Sequence, residues 1–208
     1  MSGVFRRLFR GGSKSKPDPP SFATPAARQG NWYAPKEGDE SRFLGQDGTC
    51  ALHLIPYRDG KGEDVLRLCE DATGLLLSPN DPRLPRIGIL VSQLRGEAYR
   101  PDSGTAGNFA PGSPVKLVPE PENPADDRAV AVYDKTGRYH CGYLNKARAR
   151  SYLKRVREGE NLTAISVRGT GAGTACPQIA ILATDPELLA RLLGPRPEGA
   201  ATPAHLRQ

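Results

Sequence analysis

Residues 115–157 read VKLVPEPENPADDRAVAVYDKTGRYHCGYLNKARARSYLKRVR, and the fold follows from this stretch. Val115 and Leu117 flank Lys116, the apolar–polar alternation of a half-buried strand. Pro121 and Pro124 lack an amide hydrogen and hold φ fixed, so a strand ladder stops there. Asn123 precedes Pro124, and Asp126 and Asp127 continue the loop; Asn and Asp side chains accept from main-chain amides two residues on and so build turns. Alternation resumes with Val130 and Val132 on one face and Ala131 and Tyr133 on the other. Asp134-Lys135-Thr136-Gly137 is a turn with glycine where φ can be positive. Tyr139 to Leu144 forms a third short strand. Asn145 is placed to cap a helix from Lys146 to about Glu158. Ala149, Tyr152, Leu153 and Val156 make its buried stripe, while Lys146, Arg150, Lys154 and Arg157 make an exposed basic face.

Working outward, Ile87, Ile89 and Val91 alternate as a strand expected to continue through Leu94 to Arg100, followed by a loop from Gly104 to Gly112 whose apolar residue is Phe109. Farther upstream, Thr49–Tyr57, Val65–Cys69 and Leu75–Ser78, separated by Asp59-Gly60-Lys61-Gly62 and Asp71-Ala72-Thr73-Gly74, read as a small β-meander. Three strands bury little alone, so the meander is expected to pack on its neighbour. Met1–Arg10 sets Val4, Phe5, Leu8 and Phe9 among arginines and lacks the apolar run of a secretion signal; a basic tail, a surface helix for acidic lipid and a nucleic-acid arm are the open readings. Gly11–Glu40 has the composition of a disordered linker, within which Trp32-Tyr33 is either a docking motif or a segment folded back on the domain. Downstream, Leu162–Val167 and Ile179–Leu182 are strands joined by a glycine-rich turn, Gly169–Thr174. Asp185-Pro186-Glu187 opens a helix that Gly194 closes. The organisation expected is a disordered segment 1–40, a β-meander 41–86, a domain 87–194 and a disordered tail 195–208.

The 208 residues carry a net charge of +6, with 23 glycines and 20 prolines. A mean hydropathy of −0.51 and a pI near 9.3 describe a modest core with many turns and a preference for an anionic partner. No apolar run is long enough to span a bilayer. Cys50, Cys69, Cys141 and Cys176 contain no C-x-x-C pair, and His140-Cys141, adjacent on a strand, cannot both face one metal; they read as reduced thiols of a cytoplasmic protein, with no metal site and no cofactor. There is no nucleophile triad, no paired catalytic carboxylates and no nucleotide loop, because Gly169–Thr174 lacks the Lys-Ser/Thr of a phosphate loop. An enzyme is therefore not expected.

The order of strand, E-P-x-N-P-x-D-x-x-A-V-x-V over Glu120–Val132, turn, Gly142-Tyr143-Leu144 and helix resembles the HIRAN domain, from about Ile89 to Leu182. That family is fused to helicase-like DNA-repair enzymes and also stands alone in small bacterial and phage proteins. The resemblance implies a mainly β fold with some α, a small OB-like β-barrel with one or two short helices. Short strands with turn signals and one inserted helix agree with it. It implies capture of a single-stranded DNA 3′ end without catalysis, in DNA repair or replication, with a protein partner such as a helicase or nuclease.

On this reading Asp126 accepts a hydrogen bond from a terminal 3′-hydroxyl and repels a 3′-phosphate, and Asn123 orients the turn or the end sugar. Tyr99 offers a stacking face with Arg100 beside it. Tyr143 and Lys146 meet a phosphate at the helix start, and Arg150 and Lys154 extend the phosphate track. Three departures from the family stand out: Ala125 where DNA-binding members carry an aromatic, Ala98 at a basic position, and only small residues near Gly169. The competing readings are that Asn123 and Asp126 only build the turn, that Tyr99 and Tyr143 are half-buried barrel residues, and that the basic helix face is solvated surface. At the level of the protein, the alternative is an interaction adaptor that keeps the barrel without binding DNA, docking through the meander or Trp32-Tyr33.

Overall fold

Strands β1 (Leu52–Arg58) and β2 (Asp64–Glu70) pair antiparallel, from Leu52 opposite Glu70 to Arg58 opposite Asp64. The structure is a computed structural model that describes residues 32–175 and 178–207, so the expectations for Met1–Arg10, for most of the linker and for Cys176 lie outside the described residues. Six more strands follow: β3 (Leu90–Gln93), β4 (Pro114–Glu120), β5 (Ala129–Asp134), β6 (His140–Tyr143), β7 (Thr163–Arg168) and β8 (Ala180–Thr184). All pairings between these strands are antiparallel. β7 lies against β2, β4 and β8; β8 also pairs β3; β4 pairs β5 and β5 pairs β6. An isolated bridge between Arg95 and Tyr143 ties β6 to the chain leaving β3.

The wall β3–β8–β7 is buried on both faces, which is why β8 reads as a continuous apolar run. Leu90, Ala164, Ile181 and Ala183 face one core with Val130, Val132, Phe109 and, from the helix α2 (Lys146–Arg157), Ala149 and Tyr152. Val91, Ile165, Val167 and Leu182 face a second core with Leu52, Leu54 and Leu68 of the hairpin, Phe43, Leu84 and, from the helix α3 (Pro186–Leu193), Leu189 and Leu192. The hairpin thus shares a sheet and a core with the segment that follows it.

Local capping places the two longer helices where the sequence put them. Asn145 accepts from the Arg148 amide at 3.0 Å, and Asp185 accepts from the Leu188 amide at 2.9 Å ahead of Pro186.

Several expectations are corrected. The strand through Arg100 is cut short. A 3₁₀ turn Leu84–Ile87 ends at Gly88 with φ 84°, β3 stops at Gln93, and Gly96 with φ 79° opens a second 3₁₀ turn, Glu97–Tyr99. Glycine alone takes such angles without strain, so each turns the chain off the ladder. Pro101 then starts the short helix α1 (Pro101–Ala106), which takes the first three residues of the loop expected over 104–112 and makes three α-helices among the described residues. Phe109 is fully buried. Leu75–Ser78 forms only bridges, Leu76 meeting Cys69 on one side and Tyr33 on the other. Trp32 and Tyr33 fold back: the Leu76 amide donates to the Trp32 carbonyl at 2.7 Å, and the Ala34 amide donates to the Leu76 carbonyl at 2.8 Å. Val156 is 39% exposed instead of buried. Arg148 and Arg155 reach the β3 region from the helix, donating to the carbonyls of Val91 at 3.0 Å and Gly88 at 2.7 Å.

Residues 195–207 are not a free tail. Arg196 donates to the carbonyls of Glu70 at 3.0 Å and Ala201 at 2.8 Å, and Ala204 is buried. Asp71 receives Arg196 at 3.3 Å and is also held by His53 Nδ1 at 2.8 Å.

Asp81 and Arg83 form a pair whose side chains are each 1% exposed. Arg83 also donates to the carbonyls of Pro35 at 2.7 Å and Glu37 at 2.9 Å and lies over the Phe43 ring, so it fastens residues 35–43 to the body. Burial pushes the Asp81 carboxyl up, but the hydrogen bonds from Arg83 outweigh it and hold the group below 3.8. Arg83→Ala leaves a buried unpaired carboxylate and lowers stability by about 3–5 kcal/mol at neutral pH. Because a depressed carboxylate gives its stabilisation above the unfolded value and loses it as pH falls, the gap between wild type and variant narrows below pH 3.8. Urea unfolding across that range measures both effects.

Candidate nucleic-acid interface

The loop between β4 and β5 is built by its own side chains. Asn123 Oδ1 accepts from the Ala125 amide at 3.0 Å, and Asp126 Oδ1 accepts from the Arg128 amide at 3.0 Å. These two turns, each spanning two residues, set the loop beside β6 and the start of α2. Asn123 Nδ2 donates to Glu120 at 2.8 Å and approaches the Tyr143 hydroxyl at 3.4 Å, so its amide is spent on the loop and its neighbours. Asp126 is held less fully. Its side chain is 21% exposed, Oδ2 lies 3.8 Å from Lys146 Nζ, and Oδ1 lies 3.9 Å from Arg128 Nε.

A cleft of about 300 Å³ opens here. Its walls are Asn123, Asp126, Tyr143 and Lys146, with Arg95 and Arg128 at the rim and Ala125, Ala129, Leu144 and Ala149 supplying apolar surface. Four of the residues named from sequence therefore share one cleft. Arg100 lies nearby, its guanidinium over the Tyr143 ring at 5.8 Å. Tyr99 is 90% exposed and lines no part of the cleft. Arg150 and Lys154 border a neighbouring depression of about 400 Å³ with Arg128 and Arg157.

Sequence reasoning missed Arg95, Arg128 and Glu97. Arg128 sits two residues past Asp126, inside the turn it helps to close, and that position was its only signal. Arg95 enters through a non-local contact. Its amide and carbonyl pair with those of Tyr143 at 2.8 and 2.9 Å. The pairing requires Gly142, which has φ 151° and where a Cβ would stand 2.7 Å from the Arg95 carbonyl oxygen. The glycine of Gly142-Tyr143-Leu144 thus lets two chains approach, and the tyrosine is delivered to the cleft.

Behind Tyr143, His140 stands edge-on at 4.7 Å and stacks on Tyr133, also at 4.7 Å. Burial lowers the His140 pKa, and Arg100 lowers it further. Glu97 Oε2 is buried with no hydrogen-bond partner among the described residues. Burial pushes its carboxyl up from 4.5, against the pull of Arg95. Among the described residues, no group of three or more His, Cys, Asp or Glu is placed to hold a metal ion, and no helix is long and apolar enough to cross a membrane.

A mainly antiparallel β protein with a cation-rimmed cleft at a loop and helix start is the class these features define. Residues 87–174 match the family model of the HIRAN domain. Two solved structures are similar to it. A protein from Lactobacillus plantarum has 22% identity over 45% of this chain and 89% of that one, with a TM-score of 0.36. The HIRAN domain of human HLTF has 21% identity over 52% of this chain and 93% of that one, with a TM-score of 0.35. Comparison with curated proteins finds no match.

Gly142→Ala forces a side chain into a left-handed backbone and against the Arg95 carbonyl, at a cost of about 1–3 kcal/mol from the backbone alone. The expected readout is a lower urea midpoint with faster amide exchange at Arg95 and Tyr143. Glu97→Gln has the opposite sign. A carboxyl whose folded pKa is raised stabilises the fold below 4.5 and loses that contribution as pH rises through the folded value. The glutamine variant is therefore more stable than wild type at pH 7 and loses the advantage at pH 4, measured by the same unfolding curves.

Proposed function

We propose that the chain is a non-enzymatic module that seats the 3′ end of single-stranded DNA in the cleft between the 123–128 loop and the start of α2. One observation carries this reading: Asp126 lines a cleft shared with Arg95, Arg128 and Lys146, one carboxylate oxygen held by the Arg128 amide and the other facing Lys146 at 3.8 Å. Cations attract the backbone phosphates, while the carboxylate accepts from a terminal hydroxyl and repels a terminal phosphate. Tyr143 and the apolar wall take the end base or sugar, and Arg100 and the exposed Tyr99 stand ready to stack on the next base. Arg150 and Lys154 continue the positive surface.

The OB-like barrel belongs to the same proposal. Following the pairings from β4 through β5 and β6, across the Arg95–Tyr143 bridge to β3, then β8 and β7, returns to β4. In such a barrel a strand of nucleic acid lies across loops and a sheet face. The HIRAN resemblance supports the DNA 3′-end assignment and a setting in repair or replication. Ala125 leaves the cleft wall without an aromatic face, and stacking contributes about 1–3 kcal/mol per base, so binding is expected to be weaker than in members with an aromatic there. The adaptor reading finds no free docking motif at Trp32-Tyr33, because that segment is bridged to Leu76.

Fluorescence anisotropy with single strands differing only at the 3′ terminus tests the proposal. The hydroxyl end binds more tightly than the phosphate end, and Asp126→Asn, which keeps the oxygen that accepts from the Arg128 amide but removes the negative charge, erases most of the difference with little change in the unfolding curve. Equal binding of both ends by the wild type contradicts end recognition.

A further inference from the structure

The four-residue cation spacing along α2, and Arg128 at the edge of both depressions, extend the site beyond the end nucleotide. We propose that the cleft and the depression over α2 form one track for a single nucleic-acid strand of about four nucleotides, with Arg128 at the junction and Arg157 at the far end. This rests on the end-binding reading above.

Arg128 lines the cleft and also the depression formed with Arg150, Lys154 and Arg157. Lys146, Arg150 and Lys154 follow one another at four-residue intervals, about 6 Å of helix rise each, and Lys146 to Arg157 spans about 16 Å. That step is close to the separation of successive phosphates on an extended strand.

The helix divides its cations into two sets. Arg148 and Arg155 donate to the carbonyls of Val91 and Gly88 and hold the helix to the sheet. Arg150 and Arg157 are exposed and make no ion pair among the described residues. Nothing in the packing uses these two charges, and together with Lys146 and Lys154 they give much of this face its positive charge.

Leu153, half-buried between them, gives the depression an apolar floor on which a sugar or base edge can rest. Carboxylates bound the track. Asp127 lies 3.4 Å from Arg128 on one side, and Glu158 lies 3.8 Å from Lys154 at the end, where it opposes a further phosphate. A single row of cations bounded in this way suits one backbone; the second strand of a duplex would meet acid.

The test is anisotropy with 5′-labelled oligothymidylates of two to eight nucleotides, each with a 3′-hydroxyl, at several salt concentrations. Affinity climbs up to about four nucleotides and then levels off. Arg157→Gln weakens the octamer severalfold, barely changes the dinucleotide, and reduces the slope of log affinity against log salt by about 0.7, whereas Arg128→Gln, at the junction, weakens both lengths. Arg157→Gln keeps the preference for a 3′-hydroxyl. The track is overturned if the dinucleotide binds as tightly as the octamer, if Arg157→Gln leaves octamer affinity and salt slope unchanged, or if a blunt duplex binds as tightly as the single strand. Those results leave end recognition standing, whereas absence of binding by every oligomer removes both.

Discussion

The close approach of Gly142 to the Arg95 carbonyl is the contact on which the site depends. With a Cβ at that position the Arg95 and Tyr143 segments would have to move apart, weakening the link between β6 and the chain leaving β3 that sets Tyr143 beside Arg95. The approach sets a cation, a tyrosine and the N-terminus of α2 around the 123–128 loop. That loop holds its own shape through Asn123 and Asp126, so the cleft arises where two independently rigid pieces meet. The loop brings Asp126 and Arg128, and the other piece brings Arg95, Tyr143 and Lys146.

Charge is distributed with a similar economy. The net charge of +6 does not describe an evenly basic surface. Arg83, Arg148, Arg155 and Arg196 spend their guanidiniums on buried carbonyls or carboxylates and fasten distant segments to the sheet. Arginine suits this work because its planar fork satisfies several acceptors at once. The remaining cations of α2, with Arg95 and Arg128, gather on one side, beside the Asp126 carboxylate of the loop. Partitioning of this kind favours an anionic ligand at a defined place over diffuse electrostatic attraction.

Legibility in the sequence followed the range of the interactions. The Asn145 and Asp185 caps, the turns at Asn123 and Asp134 and the alternation of β5 are local, and each was visible in a few residues. The HIRAN segment was visible as well, through Glu120–Val132 and Gly142-Tyr143-Leu144, and the match over residues 87–174 bears it out. What escaped notice was non-local or misread by composition. Gly88 and Gly96 were available as breaks, yet the alternation of Ile87, Ile89 and Val91 suggested a longer strand. The proline-rich 195–207 segment looked like a tail because its anchor, Arg196 on Asp71 and the Glu70 carbonyl, joins residues about 125 apart. Arg95 reached the site only through its bridge to Tyr143, a pairing that no periodicity reveals. Four of the chosen residues converge in the cleft, while Tyr99, chosen as a stacking face, stands out in solvent beyond it.

The most direct measurement is a ¹⁵N–¹H spectrum of the chain titrated with a short single strand bearing a free 3′-hydroxyl. The account predicts that the amides shifting first and farthest belong to Arg95, residues 125–129 and residues 143–147, with smaller shifts spreading along α2. Shifts confined to the β1–β2 hairpin and α3, with residues 125–129 unmoved, would contradict it.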